Sequence, residues 1–237
     1  LGVFRGSWDL CAAAGVFGLD TDTLQALVGE LEDAGWIARV GADRYELRVV
    51  TPERSHEGRD RARHAEFYRQ LLRTAEASLW GDGLTGWARR FDIDAANIGV
   101  AMDSYADAPD AATALAEMAV SLGRYWTYRG RSADGVGAIG RIGDLGALAP
   151  ALGRRVGYWN GALLLASGRL EDARRWLSRT LDEAEAAEDF EVAALAMWSV
   201  GECDASAGET QAARRMLLVA ARRARDTGDL RTLGLVA

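Results

Sequence analysis

The first question is whether the chain contains the residues that bind and cleave nucleotide phosphates. The chain has no lysine, since all 28 of its strongly basic residues are arginine. A P-loop requires a lysine that reaches the β- and γ-phosphates, so nucleotide hydrolysis by this chain is not expected. Residues 135–140 match the GxGxxG pattern of dinucleotide-binding turns. No strand is expected before them and no acidic residue follows about 20 positions later, so we interpret them as a flexible connection between repeats.

Candidate metal ligands and catalytic groups are also sparse. His56 and His64 lie eight residues apart, but a metal site would need a third ligand at a fixed spacing. Ser55 precedes His56 without an identifiable orienting acid, which argues against a nucleophile. Five carboxylates near a predicted helix end are interpreted as a solvated face: Asp182, Glu183, Glu185, Glu188 and Asp189. The sequence therefore predicts no catalytic residue, no metal site and no cofactor.

Composition narrows the class of protein further. The formal net charge of −7 argues against broad attraction to nucleic acid or anionic lipid. Cys11 and Cys203 are the only cysteines, so a disulfide framework is not expected. The longest apolar stretches fall far short of the roughly 18 to 20 residues that cross a bilayer. These features predict a cytoplasmic protein without a membrane segment, and the absence of a starting methionine suggests a piece of a longer chain.

Internal repetition is the strongest signal of organisation. Four positions recur with a shift of 40 residues: Gly161, Gly168, Ala173 and Leu177 are repeated as Gly201, Gly208, Ala213 and Leu217. A weaker copy contains Gly123, Gly130 and Ile139, with Gly135 in place of the alanine, and a fourth copy starts at Leu230. The first glycine is expected to let two helices approach, the second to form a turn, and the alanine and leucine to pack the second helix.

This helix-turn-helix pattern resembles the tetratricopeptide repeat, whose usual period is about 34 residues. An unrelated helical bundle with chance spacing is the alternative. Upstream, residues 9–17 and 21–34 predict two short helices, and residues 36–49 predict a hairpin. Longer helices are expected over residues 52–79 and 84–105. The predicted fold is mainly α, with a tetratricopeptide-like solenoid preceded by a small winged-helix-like segment.

The predicted domain organisation has three parts. Residues 1–50 form the winged-helix-like segment, residues 51–108 form connecting helices, and residues 109–237 form helical repeats that are cut off at the end. First helices line the concave groove of tetratricopeptide-like stacks, and aromatic and arginine side chains are good anchors there for a peptide or small effector. Register alone places seven residues in the predicted groove: Glu117, Arg124, Thr127, Arg155, Tyr158, Trp198 and Glu202.

A family resemblance rests on three stretches, namely residues 1–10, Arg63-His64-Ala65 followed by Phe67-Tyr68, and residues 94–98 ahead of Ala101-Met102. Together they resemble the segment after the nucleotide-binding domain in large STAND-type signal-transduction ATPases, especially LuxR-type bacterial transcriptional regulators. The resemblance covers essentially the whole chain. It implies a winged helix and helical repeats that sense a partner or effector, with nucleotide and DNA bound by other domains of the parent protein.

One departure from that family concerns the nucleotide. The hairpin there usually leads into an acidic residue, an arginine three positions on and an aromatic residue two beyond. The matching positions here are Arg48, Thr51 and Glu53, which puts coupling to a bound nucleotide in question.

DNA contact by the chain itself is the alternative function. Residues 9–35 contain no arginine and six acidic residues, so a recognition helix there would repel phosphates. The basic residues concentrate instead in one run, Arg54, Arg59, Arg61 and Arg63, which Glu57 and Asp60 partly offset. The sequence therefore predicts a non-enzymatic regulatory and protein-interaction module, with a DNA-contacting module that uses residues 54–63 as the alternative.

Overall fold

The computed structural model describes residues 2–48, 57–105 and 111–228. Over these residues the chain is mainly helical, with ten α-helices, two short 3₁₀ helices and one three-stranded sheet. None of the helices in the described ranges combines the length and the apolar character that a bilayer crossing requires. Two compact units are present: Leu1–Thr74 with Gly86–Pro109 form the first, and Ala75–Thr85 with Asp110–Ala237 form the second.

The first unit contains a helical pair, a small sheet and two longer helices. Its elements are β1 (Trp8–Asp9), α1 (Leu10–Phe17), α2 (Thr21–Asp33), β2 (Ile37–Gly41), β3 (Arg44–Leu47), α3 (Glu57–Ala75) and α4 (Leu84–Tyr105), of which α4 begins in the second unit. β2 and β3 form the predicted hairpin, and β1 pairs antiparallel with the other edge of β3. The sheet order is therefore β1-β3-β2.

The first helix was expected to begin at Asp9, but Asp9 belongs to strand β1 and α1 begins at Leu10. Asp9 pairs with Arg44 of β3 in the sheet register, and its carboxylate accepts a hydrogen bond from the Ala12 N–H at 2.8 Å. It is the N-cap of α1, which a short acidic side chain favours because it satisfies a free helix N–H. One residue thus ends a strand and starts a helix.

Helix α4 is tied to the segment that precedes β1 through a buried amide. The Asn97 side chain accepts from the Arg5 N–H at 2.7 Å and donates to the Ser7 carbonyl at 3.0 Å. Helix α3 joins the same core, since the Tyr105 hydroxyl donates to Glu66 at 3.2 Å. The predicted helix over 52–79 ends earlier than expected, because α3 stops at Ala75 and a 3₁₀ helix follows; residues 52–56 lie outside the described residues.

The second unit consists mainly of three successive pairs of helices. They are α5 (Ala111–Tyr128) with α6 (Ser132–Gly140), α7 (Pro150–Ala166) with α8 (Leu170–Ala186), and α9 (Phe190–Ser206) with α10 (Thr210–Thr227). Helices α7 and α9 begin and end 40 residues apart, and α8 and α10 begin 40 residues apart. The remaining predicted copy, at Leu230, lies outside the described residues.

Gly161 and Gly201 lie where the two helices of a pair approach each other closely, as their spacing predicts. A Cβ at Gly161 would lie 2.5 Å from Leu177 Cγ, and one at Gly201 would lie 2.9 Å from Leu217 Cγ. Only a glycine lets the two helices of each pair come so close, because any side chain would collide with the leucine. The prediction of close approach at these two positions is confirmed.

The first pair is built differently from the other two. A Cβ at Gly123 would lie 2.1 Å from Trp159 Cδ2, so this glycine meets the next first helix, α7. Helix α6 has 9 residues, against 17 in α8. The GxGxxG stretch lies inside α6 and is not the flexible connection that we expected, since Gly135 packs tightly between Leu163 and Trp126.

The predicted boundaries at residues 50 and 108 fall outside the described residues and stay predictions. The same holds for Thr51 and Glu53, the positions at which the sequence departs from the family pattern. Arg48, the remaining departure, is exposed.

Candidate functional site

The first helices of the three pairs share one continuous surface. Helix α5 contacts α7, and α7 contacts α9. Their facing sides line a cavity, and we call this surface the first-helix groove. It consists of Val120, Ser121 and Arg124 of α5, Arg155, Tyr158 and Trp159 of α7, and Glu191, Val192 and Leu195 of α9.

Three of the seven residues predicted for the groove line this cavity. Arg124 and Arg155 are half-buried there, and Tyr158 is buried between them and the core. These three carry the chemistry on which the prediction relied, two cationic groups and one aromatic ring. Binding of a partner at them stays a prediction.

The other four predicted residues lie on the same helices but do not line the cavity. Glu117 and Thr127 are half-buried on α5, and the Thr127 hydroxyl donates to the Arg124 carbonyl at 2.9 Å. Trp198 and Glu202 follow Leu195 on α9 by about one and two turns. The Trp198 side chain is half-buried and hydrogen-bonds the exposed Glu202 carboxylate. The structure therefore places three of the seven residues on the cavity and the other four elsewhere on α5 and α9.

A short segment of the chain itself occupies the groove. The 3₁₀ helix Glu76–Trp80, called the groove segment below, belongs to the second unit and contacts α5. The Glu76 carboxylate forms an ion pair with Arg155 and accepts a hydrogen bond from Ser121 at 3.2 Å. A carboxylate between an arginine and a hydroxyl has charge-assisted partners on both oxygens, which is a strong form of recognition.

Trp80 makes the second set of contacts in the groove. The Arg124 guanidinium lies over the Trp80 ring at 5.2 Å from its centroid, in a cation–π arrangement. The Trp159 ring lies on another side of it, at 5.9 Å between centroids. Leu79, which is 1% exposed, fills the apolar part of the same cavity. The segment thus uses one acid, one indole and one aliphatic side chain.

The space left in the groove is small. With the segment in place, the cavity holds about 20 Å³ for water-sized groups, roughly enough for one water molecule. No peptide or effector of ordinary size fits beside the segment, since small-molecule sites usually measure about 300 to 1,000 Å³.

The Arg124 side chain has one N–H donor that forms no hydrogen bond within the described residues. Its Nε–H is shielded from solvent and has no hydrogen-bond acceptor within the described part of the chain. A buried donor without an acceptor costs about 1 to 3 kcal/mol. The contact with the Trp80 ring, and not a hydrogen bond from Nε, therefore holds this part of the Arg124 side chain.

Sequence reasoning missed these groove contacts, because it placed Glu76 and Leu79 in the continuing helix and gave Trp80 no role. A signal was present in the Gly81-Asp82-Gly83 turn that follows them. Two glycines around an aspartate stop a helix and allow the chain to reverse. Nothing local, however, indicates which surface the preceding turn packs against.

Comparison with known proteins gives no relative from which a function could be proposed, so the proposed function rests on the groove. No family model, no curated protein and no solved structure matches this chain.

The other candidate sites lack a comparable geometry. Four of the five clustered carboxylates are exposed, as the solvated-face interpretation predicts, and two of them form surface ion pairs with Arg179 and Arg223. Asp189 is half-buried, pairs with Arg154 at 2.9 Å and caps α9. Among the described residues no group of three or more metal-ligating side chains converges. Ser55 and His56 lie outside those residues.

His64 is a core residue of the first unit. It is fully buried, packs against Phe4 and Tyr68, and its Nε2 lies 3.5 Å from Asn97 Oδ1. Desolvation in this setting lowers the pKa of His64 to about 4, although the Asn97 hydrogen bond opposes the shift. A neutral, enclosed imidazole is a packing element here.

We therefore expect a specific acid sensitivity. A histidine whose pKa falls from 6.5 to about 4 on folding stabilises the protein fully above pH 6.5, and the contribution is lost as pH falls towards 4. Between about pH 7 and pH 4 the wild type should lose about 3 kcal/mol more stability than His64→Gln. Urea unfolding of both proteins at each pH measures this difference. Parallel pH profiles would contradict it.

Proposed function

We propose that this chain is a regulatory protein-interaction module that recognises a peptide segment of a partner in the first-helix groove. The observation that carries the proposal is the pair Arg124 and Arg155 beside Trp159, which binds an acid and an indole from one helical turn. Arginine and tryptophan are enriched among residues that dominate binding energy at protein interfaces.

The finer fold assignment belongs to the same proposal. Three helix pairs at a spacing near 40 residues, with close-packed glycines at matching positions, support a tetratricopeptide-like solenoid. Two helices followed by a hairpin, with a third short strand on β3, support a winged-helix-like segment in the first unit. This order matches the resemblance to regulatory regions of STAND-type ATPases. We accordingly assign the chain to a larger bacterial transcriptional regulator, with no enzymatic activity of its own.

Peptide selection tests the proposed binding function directly. A phage-displayed library of random peptides is selected on the Glu76→Gln/Trp80→Ala variant, in which the groove segment loses its main contacts, and the enriched peptides are synthesised and their affinities measured by fluorescence anisotropy. Arg124→Ala should weaken their binding about tenfold or more, because a hot-spot arginine contributes about 2 kcal/mol. Arg214→Ala is the matched control, since Arg214 is exposed on α10. Peptides that bind both variants equally, or no enriched peptide, would contradict the proposal.

The alternative is DNA contact through α3, and one observation favours it. Arg59, Arg61 and Arg63 are exposed and form no ion pair within the described residues. Arg59 and Arg63 border an open depression of about 520 Å³ next to Phe67. Against it, the exposed side of α2 carries Asp22, Glu30 and Asp33, which would repel phosphates. Anisotropy of a labelled DNA duplex at low and at physiological salt distinguishes the functions, because phosphate contact requires binding that weakens steeply with salt.

A further inference from the structure

The groove segment is held mainly by side-chain contacts with the first-helix groove. Its five residues form a short 3₁₀ helix that continues directly from the end of α3 at Ala75, and 3₁₀ helices have poorer hydrogen-bond geometry than α-helices. Ala77 and Ser78 are exposed, so only one side of the turn contacts the groove. What holds it in place is the Glu76 ion pair, the Trp80 ring contacts and the burial of Leu79.

The position of the segment along the chain also sets it apart. Residues 75–85 belong to the second unit, whereas Thr74 before them and Gly86 after them belong to the first. The chain therefore leaves the first unit at Thr74, contributes residues 75–85 to the second unit, and returns to the first unit at Gly86. The segment can leave the groove without unfolding a helix of the second unit, because the three helix pairs are continuous without it. Its departure exposes Leu79, which is 1% exposed in the closed groove, so the binding of a partner must offset this loss of burial.

The contacts of the segment define the chemistry of any replacement. Arg155 and Ser121 accept a carboxylate, and Arg124 with Trp159 accept an indole four residues later in a helical turn. Glu191 also borders the cavity, so a second acid in its vicinity would be disfavoured. The acceptable partner is a peptide with one glutamate or aspartate and one tryptophan at this spacing, with an apolar residue just before the tryptophan.

We infer that Glu76–Trp80 is an intramolecular ligand that closes the first-helix groove, and that a partner peptide carrying an acid and a tryptophan four residues apart binds by displacing it. This inference rests on the proposed function, because it names the partner class and the regulation of the same groove. Covalent attachment gives the segment an effective concentration of about millimolar, so the closed groove binds a free peptide only weakly. Any event that pulls residues 75–85 away then raises the affinity for the partner.

The test uses a fluorescein-labelled peptide with the sequence of residues 74–84 as the probe. Glu76→Gln/Trp80→Ala should bind this probe at least about tenfold more tightly than the wild type, because the internal competitor is weakened. Addition of Arg155→Ala to that double variant should reduce binding about tenfold, because the probe's carboxylate loses its partner. Ser78→Ala is the matched control in the same turn and should bind as the wild type does, since the Ser78 side chain is exposed.

A second measurement covers the case in which the double variant does not fold. A spin label at Ser78→Cys, in a Cys11→Ser background, reports the segment directly, because the remaining Cys203 is buried. Unlabelled probe at millimolar concentration should increase the mobility of the label. A label that stays immobile while the probe binds would overturn displacement.

The outcomes also separate this inference from the proposed function. If the wild type and the folded double variant bind the probe equally, the intramolecular ligand is wrong, whereas library peptides that depend on Arg124 would still support the groove as a binding site. If neither protein binds the probe and selection yields no peptide, both proposals are wrong.

Discussion

Replacement of Asp94 by alanine should lower the free energy of unfolding of the first unit by about 3 to 5 kcal/mol. Asp94 is fully buried on α4 and lies 2.5 Å from an Arg44 nitrogen of β3. It also pairs with Arg90, one turn earlier on the same helix. Removal of the carboxylate leaves two partly buried guanidinium groups that share a single acid, Asp9, at 2.5 and 3.8 Å. The loss is large because the remaining charges have already been taken out of water.

Urea unfolding and hydrogen exchange measure the effect of Asp94→Ala. Hydrogen exchange is needed because the chain has two compact units, and faster exchange should appear in β3 and α4. Glu183→Ala is the control, since it removes an exposed i,i+4 pair with Arg179 and should cost at most about 0.5 kcal/mol. Equal losses for the two variants would show that the buried cluster contributes no more than a surface pair.

Leu177→Ala should destabilise the second unit by about 2 to 5 kcal/mol. The Leu177 side chain is fully buried and packs against the backbone at Gly161, where no side chain can fill the space that alanine leaves. The matching residue 40 positions later, Leu217, is only half-buried beside Gly201. Leu217→Ala should therefore cost less than half as much, because less apolar surface is lost and the site can relax towards solvent.

Thermal unfolding of both leucine variants tests this pair of values. The comparison is matched, since both changes remove the same atoms from equivalent places in two helix pairs. A loss for Leu217→Ala as large as that for Leu177→Ala would mean that α10 packs as tightly as α8. Such a result would contradict the difference in burial.

Much of the helical architecture could be predicted from local patterns. The Leu84–Tyr105 helix was placed at its observed bounds, and the 40-residue shift between Gly161 and Gly201 matches the spacing of α7 and α9. Apolar periodicity and turn glycines are short-range signals, so they can be recognised in the sequence without knowledge of the fold. The same reasoning failed for residues 135–140, which are helical although they contain three glycines, and of these glycines only Gly135 packs against Leu163 and Trp126.

The candidate site was predictable only in part. Arg124, Arg155 and Tyr158 line the cavity because helical register carries them to one side of α5 and α7, and their part in binding stays a prediction. Glu76 and Trp80 were missed, although they make the most specific contacts there. Sequence separation explains the difference, since Glu76 and Arg155 are 79 residues apart and no periodicity connects them.

The sequence by itself determined the 40-residue spacing of matching positions, the mainly helical class and the lack of the lysine that a P-loop needs, because composition and local periodicity encode these properties. The tertiary structure decided which side chains meet. It paired Asp94 with Arg44 across 50 residues, made Asp9 both a strand end and a helix cap, and brought the groove segment onto Arg155. These contacts form between residues that are far apart in the sequence. Their free energy depends on both partners, so no single segment predicts them.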